Sequence, residues 1–376
     1  MNKPIDIKAI AFYLPQYHPI PENDRWWGKG FTEWTNVTKA RPLFEGHYQP
    51  HQPADLGFYD LRLPEVRQAQ ADLATAYGIH GFCYYHYWFT GKRLLERPFN
   101  DVLATTEPDF PFCLCWANEN WTRRWDGQDE DVLAEQVYGD ADDRQHIRYL
   151  AQAFQDPRYI RIDDKPLFLV YRANRIPNPL ETAKTWREEA RQLGIGEIFL
   201  ARVESFYDEQ NDPKSIGFDA AVEFQPDWSR LGWPLQRGRK WSLARTLKLA
   251  ESAYAENTIY DYATIVEQML AKPLSDYKRF PCVTPAWDNS ARRKDGNATI
   301  LHHSTPELYE KWLETVVQRE LTNPNSDRVI FVNAWNEWAE GNHLEPCQKW
   351  GHAYLEATQR VLTSAPARVK SVMQKY

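Results

Sequence analysis

Short apolar runs rich in Val, Ile, Phe and Tyr alternate along this chain with longer segments of helical character. Such runs are typical of β-strands. Eight of them are present, at residues 7–13, 81–87, 112–117, 167–171, 198–203, 220–224, 282–286 and 329–334. Strands that alternate with helices in this way predict an α/β fold, a closed parallel (β/α)8 TIM barrel, with an open doubly wound sheet as the alternative.

Two of the intervening segments show where their helices begin and end. Residues 64–77 begin with a proline, which suits the first turn of a helix, and are followed by Gly78. Residues 306–321 also begin with a proline, and either Ser304 or Thr305 can cap them. We therefore predict helices over both ranges.

Polar and aromatic side chains follow nearly every apolar run on its carboxyl side. In a parallel barrel these strand ends meet on one rim, where barrel enzymes place their sites. No Gly-x-Gly-x-x-Gly follows the first run, which disfavours an open sheet that binds a dinucleotide. The rim residues predicted in this way are Gln16, His18, His86, Trp88, Trp116, Asn118, Glu119, Asn120, Arg172, Glu204, Glu223, Gln225, Trp287, Asp288, Asn336 and Glu337.

Two connections are longer than a barrel needs, and long loops of this kind shape the mouth of a barrel. We assign both to substrate recognition. Residues 19–57 carry large aromatic side chains, at Trp26, Trp27, Phe31, Trp34, Phe44 and Tyr48. Residues 227–279 carry a basic cluster, at Arg230, Arg237, Arg239, Lys240, Arg245 and Lys248. This cluster either binds an acidic sugar or a phosphate, or forms a solvated helix face.

The last apolar run leads into the most informative segment, Asn333-Ala334-Trp335-Asn336-Glu337-Trp338-Ala339-Glu340-Gly341. It places two carboxylates three residues apart among tryptophans. Breaking a glycosidic bond needs a proton for the leaving oxygen and a second carboxylate to handle the developing charge or deprotonate a nucleophile, and indole rings stack on pyranose faces. The segment therefore predicts a sugar-cleaving site rather than a strand end with two solvated glutamates.

The composition bounds these hypotheses. A chain of 376 residues can fold as one large α/β domain or as two, and a net charge of −7 gives it no general attraction for nucleic acid. Its 16 tryptophans suit carbohydrate binding but also a bulky core. The five cysteines are odd in number and lie mostly inside apolar runs, which favours reduced thiols in a cytoplasmic protein.

Charged residues among the first eight leave no apolar stretch for a signal peptide, and no run is long enough to span a bilayer. His302 and His303 lack the helical spacing of a metal pair. His47 and His51 lie far from them in the sequence. We therefore expect a soluble, cytoplasmic protein without a transmembrane segment, a metal or another cofactor.

Four segments together resemble the WbsX-like proteins of bacterial polysaccharide loci. They are residues 26–37 (WWGKGFTEWTNV), 81–89 (GFCYYHYWF), 115–121 (CWANENW) and 335–341 (WNEWAEG). Those proteins are in turn similar to glycoside hydrolase family 99, the endo-α-mannosidases and endo-α-mannanases. The resemblance covers nearly the whole chain. It implies one catalytic (β/α)8 barrel domain over residues 1–376, which acts on α-linked glycans by a retaining, metal-independent route.

The resemblance also implies a role for each carboxylate. In family 99 the first glutamate of the motif deprotonates the substrate's own 2-hydroxyl to give a 1,2-anhydro sugar, and the second is the general acid that then serves as base. Carried over by the match, Glu337 takes the 2-hydroxyl and Glu340 takes the leaving group. Glu119 either holds the reacting sugar or is a carboxylate hydrogen-bonded within the rim. The implied enzyme is an endo-acting glycosidase that cleaves bacterial polysaccharide of O-antigen or capsule type.

The other candidate site residues are polar or aromatic groups at strand ends or in the first long loop, and we expect them to bind an oligo- or polysaccharide substrate. For His86 a buried histidine with one satisfied ring nitrogen is the alternative. The candidates are Tyr13, Gln16, His18, Trp26, Trp27, Trp34, Tyr85, His86, Trp88, Trp116, Asn118, Glu223, Trp287, Trp335, Asn336 and Trp338.

Two other functions fit the same chain. WbsX-like sequences are commonly described as glycosyltransferases, which bind the diphosphate of a sugar nucleotide, for example through a metal held by an Asp-x-Asp element. Asp129-Glu130-Asp131 and Asp140-Ala141-Asp142 have that spacing, but both lie in polar connections rather than after an apolar strand. A non-catalytic glycan-binding barrel would keep the tryptophans without requiring both glutamates of the last motif.

Overall fold

The computed structural model of the chain describes residues 7–123, 128–236, 254, 256–293 and 296–373. All eight predicted apolar runs contribute strands to one large sheet. In chain order these are β1 (Lys8–Tyr13), β2 (Ile79–Phe89), β3 (Phe112–Trp116), β4 (Lys165–Val170), β5 (Phe199–Glu204), β6 (Ala220–Glu223), β7 (Arg279–Phe280 and Cys282–Val283) and β8 (Val329–Val332).

The sheet closes on itself through β7. From β1 the order runs through β2, β3, β4 and β5 to β6, and β8 pairs with β1 on the other side. Pro281 has no N–H to donate and divides β7, so that Arg279 and Phe280 pair with β6 while Cys282 and Val283 pair with β8. Each of these pairings is parallel. The chain therefore folds as the predicted (β/α)8 barrel.

Helices return the chain between strands, and two of them match the predicted ranges 64–77 and 306–321. The Thr305 hydroxyl caps the second of these by accepting the Leu308 N–H at 3.4 Å. The helices are α1 (Pro64–Ala76), α2 (Arg97–Thr105), α3 (Asp140–Gln155), α4 (Pro179–Gln192), α5 (Tyr262–Leu270), α6 (Pro306–Thr322) and α7 (Ala353–Met373). The described connection between β5 and β6 has the 3-10 turns Tyr207–Glu209 and Pro213–Ile216 instead.

Side chains alternate along the strands between the barrel interior and the surrounding helices. The ring of Phe12 faces inward, where it lies 5.7 Å from Tyr85 and 6.0 Å from Phe224. The next residue, Tyr13, faces outward, and its hydroxyl donates to Gln70 on α1 at 2.7 Å. The inward aromatic layer fills the barrel below its carboxyl end.

The long connection after β1 contains the short helices Pro21–Trp27 and Glu33–Lys39. In the connection after β6, the strand Thr258–Asp261 pairs with Thr299–His302. Most of the predicted basic cluster, namely Arg237, Arg239, Lys240, Arg245 and Lys248, lies outside the described residues, as does the N-terminal segment 1–6 considered for a signal peptide.

The five cysteines are all buried free thiols, at Cys83, Cys113, Cys115, Cys282 and Cys347. Within the described ranges, no helix combines the length and apolar character that crossing a membrane requires.

Candidate active site

A cavity of about 630 Å³ opens at the carboxyl end of the barrel. Residues at or beyond the ends of every barrel strand except β5 line it, as expected for a barrel enzyme. The lining consists of Leu14, Gln16, Trp27, Tyr85, Tyr87, Ala117, Asn118, Glu119, Asn120, Trp121, Thr122, Leu133, Gln136, Tyr138, Tyr171, Arg175, Phe224, Trp287, Arg292, Glu337 and Glu340.

A tight hairpin beyond β8 carries Glu337 and Glu340. Its strands Asn336–Glu337 and Asn342–His343 are antiparallel and joined by the 3-10 turn Trp338–Glu340 and by Gly341. We call residues 336–343 the rim hairpin.

Gly341 is required at this turn for two reasons. Its φ of +56° is disfavoured for other residues, and an added Cβ would lie 3.0 Å from the Cβ of Asp288. The backbone N–H of Asp288 donates to the Glu340 carbonyl at 2.6 Å, so the two segments are in direct contact. The turn thus fixes Glu340 against the segment that follows β7.

The side chain of Asn336 fixes the other end of the rim hairpin. Its Oδ1 accepts the Leu14 N–H at 2.7 Å, and its Nδ2 donates to the Leu14 carbonyl at 3.0 Å. Asn336 therefore joins the rim hairpin to the segment after β1, and its role is to position Glu337.

Three carboxylates surround the guanidinium of Arg292, and we call these four residues the carboxylate cluster. Nη2 lies 2.7 Å from Oε2 of Glu337, Nη1 lies 2.5 Å from Oε1 of Glu340, and Nε lies 2.7 Å from Oε1 of Glu33. The side chain of Arg292 is 12% exposed, and that of Glu33 is completely buried. One largely buried cation thus holds both glutamates of the motif at the cavity wall.

Burial, together with the charges of Glu340 and Glu33, raises the pKa of Glu337 to about 8 against the opposing effect of Arg292. Burial also raises the pKa of Glu340, which Arg292 lowers. Two carboxyl groups that share one cation in a desolvated site resist double ionisation. The pair therefore holds a proton near neutral pH, as an acid catalyst must.

Aromatic rings form much of the remaining wall. Trp121 lies 5.1 Å from Tyr87 and 5.8 Å from Trp26, measured between ring centroids. The ring of Trp287 packs against that of Trp228, with their centroids 5.1 Å apart. Such a wall presents the apolar faces and polar edges that pyranose rings bind.

Polar groups of the cavity wall come from the segment after β3. Asn118 donates to the Arg172 carbonyl at 2.9 Å and accepts the Arg172 N–H at 2.8 Å, so its orientation is fixed. The adjacent Glu119 forms an ion pair of 3.2 Å with Arg172 while its side chain remains 37% exposed. Glu119 is thus oriented but still accessible.

The structure brings together at this cavity many of the residues that the sequence predicted for a site. They are Gln16, Trp27, Tyr85, Asn118, Glu119, Trp287, Glu337 and Glu340.

Three other candidates lie on the helix side of the barrel, because side chains alternate along a strand. His86 Nε2 lies 2.9 Å from His146 Nε2 on α3, and the Trp88 indole donates to Asp142 at 2.9 Å. Trp116 is buried and donates to the Trp88 carbonyl at 3.2 Å. For His86 the alternative of a buried, partnered histidine is the correct one.

Tyr13, Trp34 and Trp335 are also core residues rather than cavity residues. Tyr13 donates to Gln70, the Trp34 indole donates to the Tyr59 carbonyl at 2.8 Å, and Trp335 is buried against Phe82 at 5.1 Å. Their placement corrects the expectation that they contact the glycan.

The remaining candidates do not line the cavity. Trp338 is buried in the rim hairpin, and Trp26 packs on Trp121. His18 is buried, with Nδ1 3.0 Å from the Pro15 carbonyl. Glu223 forms ion pairs of 3.2 Å with Lys272 and Arg279.

Several site residues were not among the predicted ones. Tyr87 was identifiable, since it lies two residues after Tyr85 and therefore on the same strand face. Arg292 and Glu33 carry no such signal, because they come from distant loops that meet only in the fold. Trp121, Tyr138 and Tyr171 are likewise cavity residues.

Histidines that are scattered in the sequence gather at a second cavity of about 260 Å³. His47 Nε2 lies 2.6 Å from Asp288 Oδ2, and Trp287 lines both cavities. The lining includes His47, His51, His302, His303, His343, Asp288 and Lys349. In the part of the chain that the structure describes, no three His, Cys, Asp or Glu side chains are grouped as a metal site requires.

The sequence profile of the family described as Glycosyltransferase WbsX matches residues 9–358. The chain belongs to the WbsX family. Two proteins of Xanthomonas campestris pv. campestris, from strains B100 and ATCC 33913, are described as uncharacterized protein WxcX and are each 49% identical to this WbsX chain over 358 residues. The match covers 95% of this chain and 50% of each relative, so the chain spans about half the length of the curated relatives it matches.

Solved structures resemble the WbsX barrel over nearly its whole length. One is the GH99 endo-α-mannosidase from Bacteroides thetaiotaomicron, with 14% identity, a TM-score of 0.56 and coverage of 96% of this chain and 98% of that one. Another is described as a glycoside hydrolase-like protein, with 14% identity, a TM-score of 0.59 and coverage of 95% and 94%. The WbsX chain therefore has a glycoside-hydrolase-like barrel fold.

Proposed function

We propose that the chain is a glycoside hydrolase that cleaves α-linked bacterial polysaccharide of O-antigen or capsule type, endo-acting and retaining. The observation that carries the proposal is the pairing of Glu337 and Glu340 on one guanidinium, at 2.7 and 2.5 Å, in the wall of an aromatic cavity. A proton donor and a second carboxylate beside stacking surfaces are what glycoside cleavage requires.

In the proposed reaction, Glu337 accepts the proton of the sugar's 2-hydroxyl while that oxygen attacks C1. The bond from C1 to the leaving oxygen breaks, and Glu340 gives its proton to that oxygen. In the second step water adds to C1 of the 1,2-anhydro sugar and gives its proton to Glu340. Glu337 returns its proton to the 2-oxygen as the three-membered ring opens. Two displacements at C1 retain the anomeric configuration, and both carboxyl groups regain their initial states.

The raised pKa of Glu337 and the proposed reaction favour the proton on different carboxyl groups. Burial and the neighbouring carboxylates raise the pKa of Glu337 to about 8, which favours its acid form, whereas the reaction needs the proton on Glu340. A bound glycan favours the transfer, because a 2-hydroxyl that donates to Glu337 stabilises its carboxylate form and a glycosidic oxygen that accepts from Glu340 stabilises its acid form. The nearby guanidinium lets either group carry the single negative charge.

The family description favours a second candidate, a glycosyltransferase. That chemistry needs a site for the diphosphate of the donor. Asp140 instead pairs with Arg144 at 3.1 Å, and Asp142 accepts the Trp88 indole at 2.9 Å, both outside the cavity lining. The side chains of Asp129 and Asp131 lie outside the described residues. These contacts support the hydrolase over the transferase.

The test is a screen of the purified protein against bacterial O-antigen and capsular polysaccharides, in excess chelator, with release of reducing ends as the readout. We expect cleavage of one class of α-linked polymer, and we expect NMR of the fresh product to show the anomer of the bond that was broken. Glu340→Gln protein, prepared in parallel, controls for contaminating enzymes. Consumption of a sugar nucleotide that needs a metal and an acceptor, without any cleavage, would establish the transferase instead.

A further inference from the structure

We infer that Arg292 and Glu33 are a positioning pair for the two glutamates of the rim hairpin, with Glu33 as the fixed anchor and Arg292 as the part that orients both carboxylates. The inference rests on the proposed function for its catalytic consequence. Its structural basis, the carboxylate cluster, is independent of which reaction the cavity performs.

The guanidinium of Arg292 fixes one oxygen of each carboxylate of the cluster. Arg292 uses a different nitrogen for each partner, and it contacts Oε2 of Glu337 but Oε1 of Glu340. One oxygen of each group is thereby fixed, and the other is left for a sugar hydroxyl or a glycosidic oxygen. A planar fork can do this, whereas the point charge of a lysine ammonium cannot orient two carboxylates at once.

The backbone and the side chain of Glu33 form hydrogen bonds with residues outside the rim hairpin. Glu33 begins the helix Glu33–Lys39, its backbone N–H donates to the Gln16 carbonyl at 3.0 Å, and Asn36 donates to its Oε1 at 3.3 Å. The neighbouring Trp34 packs on Trp338 at 5.5 Å. Because Glu33 is completely buried and is not part of the cavity lining, a glycan bound in the cavity does not contact the carboxylate that anchors Arg292.

Arg292 is fixed on its own side by the turn Asn289–Arg292. The Asp288 carboxylate accepts the Ser290 N–H at 2.9 Å, and Asn289 Oδ1 accepts the Thr299 N–H at 2.9 Å. Asp288 also accepts the Gln49 amide at 2.8 Å. The turn that presents the guanidinium is therefore anchored to two other segments.

Glu33 also acts on the two glutamates through its charge, which changes their pKa values. Its negative charge raises the pKa of both Glu337 and Glu340, whereas Arg292 lowers both, and Arg293 lowers that of Glu340. Removing the charge of Glu33 must therefore lower both pKa values, and removing the charge of Arg292 must raise them. Among the described residues, the tyrosines that interact with these carboxylates are Tyr17, Tyr85, Tyr87 and Tyr171. Burial raises the pKa of each, so they stay neutral through this range. Acidic groups near the cluster include Glu345, which interacts with Tyr17, and Asp288, whose N–H donates to the Glu340 carbonyl.

The experiment compares Glu33→Gln, Arg292→Lys and Arg292→Gln with a matched control, Glu189→Gln. Glu189 is a carboxylate whose side chain is 3% exposed and which pairs with Arg148 at 2.5 Å on the outside of the barrel. Titration of δ-13C-labelled glutamate by NMR follows the carboxyl groups in the free protein. The signals of Glu337 and Glu340 are assigned by their loss in the corresponding Gln variants.

We expect Glu33→Gln to move the titration of the pair, and the pH–kcat profile with it, about one pH unit to lower pH. Arg292→Gln should move both to higher pH. Arg292→Lys should leave the titration near that of wild type but lower kcat about 100-fold, since it keeps the charge and loses the orientation. Glu189→Gln should change neither.

An unchanged titration in Glu33→Gln, with wild-type kcat in Arg292→Lys, would overturn the inference. If Arg292→Gln does not fold, Glu33→Gln and Arg292→Lys still decide it. If no polysaccharide is cleaved by wild-type protein, the proposed function fails, while the NMR titration of the free protein still accepts or rejects the role of Glu33.

Discussion

The indole N–H of Trp338 donates a hydrogen bond of 2.6 Å to Oε2 of Glu345, a side chain buried beneath the rim hairpin. The same carboxyl group accepts from the Tyr59 hydroxyl at 2.7 Å and from the Gln70 amide at 2.6 Å. Tyr59 belongs to the long connection after β1 and Gln70 to α1. The rim hairpin is thus supported by a buried polar network that ties it to two other parts of the fold.

We predict that Glu345→Gln destabilises the protein by about 1–3 kcal/mol, because a buried donor is left without an acceptor once an amide N–H replaces a carboxyl oxygen. Urea unfolding at neutral pH measures the change, and Glu189→Gln controls for the loss of a buried carboxylate elsewhere. A variant as stable as wild type would show that the network adds no net stability to the rim hairpin.

The second prediction concerns Glu340 as the proton donor. Glu340→Gln keeps the shape of the side chain and removes its proton, so cleavage of the natural linkage should fall by about 100-fold or more. A substrate with a very good leaving group needs less protonation and should lose less. Steady-state kinetics on both substrates measures the difference, and equal losses would count against the acid role.

Glu337→Gln should show no such dependence on the leaving group. Formation of the new C–O bond is needed whatever group leaves, so both substrates should be affected alike.

The third prediction is a pH dependence of stability that follows from the pKa of Glu337. Because its pKa is about 8 in the folded protein and about 4.3 when unfolded, the folded state alone holds this proton between those values, and stability falls as pH rises through that window. Glu337→Gln removes the effect. The variant should match wild type near about pH 4 and exceed it by at least about 2 kcal/mol near about pH 9. Parallel curves of unfolding free energy against pH would contradict the raised pKa.

The barrel and the two glutamates of the last motif are predictable from sequence because each depends on a local pattern. Eight apolar runs gave the strands, and the last motif gave the two glutamates. The period of two along β2 places His86 on the helix side of the barrel and Tyr85 on the cavity side, so the two neighbours cannot both contact a substrate. Arg292 could not be predicted, since its importance arises only where three distant segments converge.

Two tryptophans of the first long loop also differ in whether they face the cavity or the core. Their substitution gives the last prediction. Trp27 lines the cavity and is partly exposed, whereas Trp34 is 8% exposed, donates to Tyr59 and packs on Trp338. Trp27→Ala should weaken glycan binding by about 1–3 kcal/mol and leave the unfolding free energy nearly unchanged. Trp34→Ala should instead destabilise the fold by about 3–5 kcal/mol, since it opens a cavity in the core.

Binding of a cleavage-resistant oligosaccharide to Glu340→Gln protein, by calorimetry, and urea unfolding separate the two effects. The binding comparison is made with each tryptophan change in the Glu340→Gln background, so that the ligand is not consumed. If Trp27→Ala unfolded readily while its folded fraction bound with unchanged affinity, this indole would be a core residue like Trp34, and the sugar-stacking surface would lie with Trp121 and Trp287 on the other walls of the cavity.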